Sequence, residues 1–419
     1  MTTASLSRLL APGQRVWLPT MANQSALLVD QLQADPERAA GVTFCGVQFP
    51  GIDSFDPLAL HPQARQIGGF MTAGLRRGIA QGRAELLALD YLALARHLQH
   101  EAPPFDIAFA QLTPPDADGW CAPGLSADFT PLVWPRAKRR AAHLNPRLPR
   151  LASSFRVHVS ELDLAVEADA PLLDFHDPAV GATEARIGAH VATLVRDGDT
   201  LQFGIGAVPL SLAAALSGHR RLRFHGGMLP SAVMTLDAAG ALDRDAVMTA
   251  GLVLGDAALR DWVRGGKPSL RLTDVTQTHG PAALAALGST TRFVAINSAV
   301  EVDLFGQVNA ERANGMLQAG AGGLPAFAQG ALAAPGGRLV IALPSTARGG
   351  TVSRIVPALG DGGLVTLPRH LADAVVTEHG VAELRALPLD ARANALIAIA
   401  DPAQRGALSA AWDDWRRKL

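Results

Sequence analysis

Residues 200–209 read Thr200-Leu201-Gln202-Phe203-Gly204-Ile205-Gly206-Ala207-Val208-Pro209. An apolar strand runs into a glycine turn, and the apolar run 210–216 that follows has helical character. Strand, glycine turn and helix in this order are the grammar of an open α/β sheet. The same grammar stands near the start of the chain, with a strand at Arg15-Val16-Trp17-Leu18 and a helix over residues 26–32. Short apolar strands alternating with helical runs predict parallel sheets built from βαβ units.

The second occurrence reads as a repeat of the first. Gly13 and Gly198 stand 185 positions apart. Asp116-x-x-Gly119 after "DIAFAQLTPP" and Asp303-x-x-Gly306 after "FVAINSAVEV" stand 187 apart. Two markers with nearly equal offsets predict two related halves; two unrelated α/β units with generic turns are the alternative. A proline-rich, acidic stretch over residues 167–183 is the expected linker. The expected domains are residues 1–180 and 181–419.

Length and composition narrow the class. A chain of 419 residues has room for two or three domains. With 37 basic and 38 acidic residues the formal net charge is -1, which disfavours a nucleic-acid partner. Only 5% of residues are aromatic, too few for a base-stacking platform. No run reaches the roughly 18 apolar residues of a membrane span, and the N-terminus has no signal-peptide core. Two cysteines, Cys45 and Cys121, make neither a disulfide framework nor a cysteine zinc site. The expectation is a soluble cytoplasmic protein.

Several clusters carry chemical potential. The turn at Gly204 and Gly206 opens a helix, where backbone N–H groups and the helix dipole suit a phosphate. A nicotinamide site needs a third glycine and an acidic residue about 20 positions on, and the chain has Arg220-Arg221-Leu222-Arg223 there. A different phosphate-bearing cofactor, or a plain tight turn, fits instead. Gly320-Ala321-Gly322-Gly323 is either an oxyanion-binding loop or a plain one. Ser345-Thr346-Ala347-Arg348-Gly349-Gly350 suits a phosphate or carboxylate, or a solvated turn. Glu301 and Asp303 alternate onto one face of a strand, as a base or nucleophile or as a structural pair. His225 stands alone before two glycines, which more often marks a structural histidine than a base. No zinc-ligand spacing and no G-x-S-x-G elbow are present.

Taken together, "LTPPDADGWCAPGLSADFT", "SSFRVHVSELD", "LQFGIGAVP", "INSAVEVDLFGQVNAE", "GAGG", "ALPSTARGGTVSRIVP" and "VVTEHGVAELR" resemble the acetyl-CoA hydrolase/transferase family, especially its 4-hydroxybutyrate CoA-transferase branch. The resemblance spans residues 10–403. It implies the class I CoA-transferase fold, two similar open α/β domains with the active site between them, and commonly a homodimer. It implies a glutamate that attacks acyl-CoA, passes through a mixed anhydride and becomes a glutamyl-CoA thioester. Substrates would be an acyl-CoA and a small carboxylic acid, with coenzyme A as the carrier and no metal. Gly204, Ile205, Gly206, Ala207, Val208 and Arg348 carry over as CoA contacts, and the Gly322 and Gly323 backbone as the oxyanion site.

The chain departs from the family pattern at its centre. The position of the nucleophilic glutamate, in a His-Ser/Thr-Glu-Met stretch, is Gly227 within His225-Gly226-Gly227-Met228. An aspartate usual after the glycine loop is Ala326, and the usual "STAKGG" lysine is Arg348. Glycine cannot form an acyl anhydride. Three outcomes stay open: direct attack by water or the acceptor acid, a substitute carboxylate such as Glu301, or CoA binding without turnover. The corresponding functions are CoA transfer, thioester hydrolysis, or a silent CoA-binding homologue.

Overall fold

The computed structural model describes residues 5–266, 268–360 and 362–418. The first sheet contains β1 (Arg15–Trp17), β2 (Thr43–Gly46), β3 (Arg65–Gly68), β4 (Ala84–Leu86), β5 (Ile107–Leu112), β6 (Arg139–Leu144) and β7 (Leu164–Glu167). Their spatial order is β7-β6-β5-β1-β2-β3-β4, and all pairs are parallel. The second sheet contains β8 (Thr200–Gln202), β9 (Arg223–Pro230), β10 (Met248–Leu254), β11 (Leu270–Leu272), β12 (Phe293–Asn297), β13 (Arg338–Ala342), β14 (Ala374–Thr377) and β15 (Gly380–Glu383). Its order is β15-β14-β13-β12-β8-β9-β10-β11, with only β15 antiparallel.

Without β15, the second order repeats the first strand for strand. Parallel strands covered on both faces read as near-continuous apolar runs, and the central strands are buried along most of their length. Every residue of β5, "IAFAQL", is buried, as are the first four of β12. The two aspartate turns match in detail. Asp116 accepts from the amides of Asp118 at 3.1 Å and Trp120 at 2.8 Å; Asp303 accepts from those of Phe305 at 3.1 Å and Gln307 at 2.8 Å. Gly119 (φ 84°) and Gly306 (φ 87°) close the two turns in the left-handed region that glycine tolerates.

The halves are not cleanly separated. Ala152–Ser153, from before residue 180, pairs with β11 and adds an edge strand to the second sheet. One hydrophobic core contains residues of both sheets, among them Trp17, Leu201 and Leu252. Residues 168–181, within the expected linker, hold no regular element.

Candidate active site

The site lies where the second sheet reverses direction. β8 is flanked by β9 on one side and β12 on the other, and ligands of open α/β sheets bind beyond the strand ends at such a point. Gln202 at the end of β8 accepts from the Asn297 side-chain amide at the end of β12, 2.8 Å away. Beyond them opens a cavity of about 290 Å³. Gly204, Ile205, Val208, Gly227, Gly322 and Gly323 line it from the second half, and Phe49, Phe70, Tyr91 and Asp128 from the first.

Gly206 and Ala207 do not line this cavity. Gly206 is the N-cap of the helix Ala207–Ala215, and its N–H donates to Asp177 Oδ1 at 2.9 Å. A carboxylate from the 168–181 segment thus already takes one amide of the helix N-terminus that the sequence suggests for a phosphate. A Cβ on Gly206 would meet nothing within 4 Å, but its φ of 110° is open essentially only to glycine. Gly206→Val should therefore act through strain, costing about 1–3 kcal/mol of turn stability. The expected readout is CoA-ester binding about tenfold weaker, ~1.4 kcal/mol, by calorimetry on folded protein. Unchanged affinity would take the turn out of the site.

The glycine loop bridges the halves. The Tyr91 N–H donates to the Gly322 carbonyl at 3.1 Å. Gly322 has φ 58°, and a Cβ there would sit 3.2 Å from Phe70 Cζ. Gly323 caps the helix Leu324–Ala333. Among the described residues, the Gly322 and Gly323 amides donate to no protein acceptor. Two free amides at a helix N-terminus can stabilise an oxyanion. Ala326, where the family pattern has an aspartate, is buried inside that helix.

Position 227 lies on β9 opposite a histidine that motif reading misses. A Cβ on Gly227 would sit 2.7 Å from His279 Cε1 and 3.1 Å from Nε2, and one on Gly323 would strike the same ring closer still. His279 therefore occupies the volume that a side chain at 227 needs. Its Nδ1 is 2.8 Å from Thr278 Oγ1, and its ring lies between Tyr91 and Phe327, with centroids at 5.1 and 4.4 Å. His225 holds this arrangement from below by donating Nε2–H to the Thr278 carbonyl at 3.0 Å. That gives His225 the structural role. Burial pushes His225 down to about 4. Burial, with His225 nearby, pushes His279 down to about 3. Both rings are neutral at pH 7.

Asp128 is the second residue the sequence does not single out. The segment 125–128 lies along the end of β10: the Ala127 and Asp128 amides donate to Gly251, and that of Val253 to Leu125. The Asp128 carbonyl accepts from Val275 at 3.1 Å, at the start of the turn that carries His279. Asp128 has φ 37°, unusual for a residue with a side chain. It is 5% exposed, and burial plus the nearby Asp274 carboxylate push it up to about 7. The same burial, with Asp128 and Asp53 facing it, raises the Tyr91 phenol.

Glu301, the candidate substitute carboxylate, and Arg348, expected as a CoA contact, lie outside this cavity. They line a separate cavity of about 530 Å³ together with Arg354. Glu301 accepts from the Asn309 side-chain amide at 2.9 Å within its own small sheet. Asp303, on the same face of that strand, is spent on its turn, accepting from the Phe305 and Gln307 amides. Among the described residues, no group of three or more histidine, cysteine or acidic side chains could hold a metal ion. No helix among them is long and apolar enough to cross a membrane.

Residues 255–412 match the family model for the acetyl-CoA hydrolase/transferase C-terminal domain. Over 387 residues the chain is 33% identical to 4-hydroxybutyrate coenzyme A transferase of Clostridium kluyveri, covering 91% of this chain and 89% of that protein. The crystal structure of RipA from Yersinia pestis superposes with a TM-score of 0.88 at 26% identity, over 97% of this chain and 95% of that one. The 4-hydroxybutyrate CoA-transferase of Porphyromonas gingivalis superposes with a TM-score of 0.79 at 27% identity, over 100% and 98%.

Proposed function

Since the chain belongs to the acetyl-CoA hydrolase/transferase family, we propose that it moves coenzyme A between a short-chain acyl-CoA and a carboxylic acid in the cavity between its two sheets. The single observation that carries this reading is the convergence on one cavity of the Gly204–Ile205 turn, the free Gly322 and Gly323 amides and position 227. The turn and Val208 receive the pantetheine end of the acyl-CoA, and the two amides face the thioester oxygen. That arrangement serves a carbonyl addition, because donors already aimed at the developing oxyanion need no reorganisation. Arg348 and Arg354, on the second cavity, take anionic groups of the CoA tail or the acid.

The working unit in this reading is a cytoplasmic homodimer of chains with domains 1–180 and 181–419. The two cysteines are free and buried, in keeping with a reducing compartment. The test is a panel of acyl-CoA esters with and without carboxylic acids. New CoA esters that need the acid are the expected result. Thiol release independent of the acid would make the protein a thioester hydrolase. Binding without turnover would make it a silent homologue.

A further inference from the structure

With no side chain at position 227, transfer through a covalent enzyme intermediate needs a carboxylate from another part of the chain. We propose that Asp128, delivered from the first half of the chain, is the nucleophile that carries CoA in this cavity; the inference rests on the transfer reading. Four observations carry it. Among the described residues lining the cavity, Asp128 is the one carboxylate. Its side chain has no hydrogen-bond or cationic partner among the described residues, although it is buried. Once ionised, such a group has no partner to quench its charge, and structural carboxylates are almost always paired. A Cβ on Gly251 would sit 2.7 Å from the Gly227 carbonyl oxygen and 3.1 Å from Asp128 Oδ1, which places the carboxylate beside position 227. Finally, its backbone holds a strained left-handed conformation, pinned by Gly251 on one side and Val275 on the other. Strain of this kind concentrates at functional sites.

Asp53 and Glu301 do not compete. Asp53 accepts from the Met21 and Phe49 amides at 2.7 and 2.6 Å, and Glu301 lines the other cavity.

The steps balance without any co-reactant. An Asp128 oxygen attacks the thioester carbonyl carbon; the C–O bond forms, the C–S bond breaks, and CoA leaves as thiolate. The thiolate attacks the Asp128 carbonyl carbon of the mixed anhydride and releases the first acid as carboxylate. Asp128 is then an aspartyl-CoA thioester. The second acid attacks that thioester and displaces the thiolate, which attacks the new acyl carbon, forms the product acyl-CoA and regenerates the Asp128 carboxylate. His279 is a positioning residue, filling the space at 227 so that the thioester settles against the opposite wall.

The experiment compares the unaltered protein with Asp128→Asn, using butyryl-CoA with acetate, CoA binding by calorimetry and intact-protein mass after butyryl-CoA alone. Asp128→Asn should bind CoA within about threefold of the unaltered protein, lose transfer by at least a thousandfold and form no CoA adduct. An Asn variant that keeps more than a tenth of the transfer, or still forms the adduct, overturns the inference and leaves the transfer reading standing. An unaltered protein that binds CoA yet transfers nothing overturns both. Should Asp128→Asn not fold, the adduct of the unaltered protein is located by peptide sequencing: on Asp128 it supports the inference, on any other carboxylate it overturns it.

Discussion

Gly227→Glu, the substitution that restores the family residue, is expected to abolish transfer and to destabilise the protein. The backbone is not the obstacle, because Gly227 is not among the positive-φ glycines. The obstacle is His279, 2.7 Å from where the new Cβ must sit. That ring is 1% exposed, bonded to Thr278 and packed between Tyr91 and Phe327, so it cannot swing aside as a lysine tip would. Overpacking a site of this kind costs about 1–3 kcal/mol, and the displaced imidazole would enter the thioester's space. Denaturant unfolding and the acetate-dependent formation of a new CoA ester check both parts. Gly227→Glu combined with His279→Ala should recover much of the lost stability, since the second change removes the clashing ring. A single Gly227→Glu variant with unaltered stability and faster transfer would mean that His279 does not hold this space.

Asp128→Asn is expected to stabilise the protein while it disables it, and the gain should depend on pH. Asp128 is held at about 7, against an ordinary value of 3.8. The folded state therefore binds this proton more firmly than the unfolded chain does. Stability from this group is fully present below about pH 4 and is lost as pH rises through 7. Asparagine does not ionise, so the variant should match the unaltered protein near pH 4 and exceed it by on the order of 3 kcal/mol at pH 8. The titratable groups that act on or feel Asp128 are Asp274 and Tyr91, and the neutral His279 lines the same cavity. Transfer requires the carboxylate, so activity should climb with pH and level off above about 7. Unfolding curves at pH 4 and pH 8, with a pH–rate profile, decide the matter. A stability difference that is constant with pH would show that Asp128 is not a buried titrating group.

The fold was legible in residues 200–216 and in the paired offsets, because βαβ units announce themselves by local pattern. The strand at β8, its glycine turn and the following helix all stand within a few residues of where the pattern puts them. The glycine loop at 320–323 and the turn at Gly204 were equally readable as cavity-lining backbone, since glycine clusters report local backbone needs. Asp128 and His279 were not. One sits in "SADFT" and the other in "TQTHG", with no spacing that links them. They line one cavity only because residues 125–128 lie along β10 and the Asp128 carbonyl accepts from Val275 at the start of the turn leading to His279. Glu301 stands apart from the Gly322–Gly323 cavity for the converse reason: its motif is local, but the residue lines another cavity. Gly206 shows a third limit, as its amide is claimed by Asp177 from 29 residues upstream.

The most direct measurement follows oxygen through turnover. In the proposed sequence, the oxygen that bridges the second anhydride comes from the acceptor acid and stays on the enzyme. Turnover of butyryl-CoA with acetate labelled with oxygen-18 should therefore place the label in the Asp128 side chain, read by mass spectrometry of the peptide spanning residues 97–136. Transfer that leaves the protein unlabelled, or labels another carboxylate such as Glu301, would contradict the account.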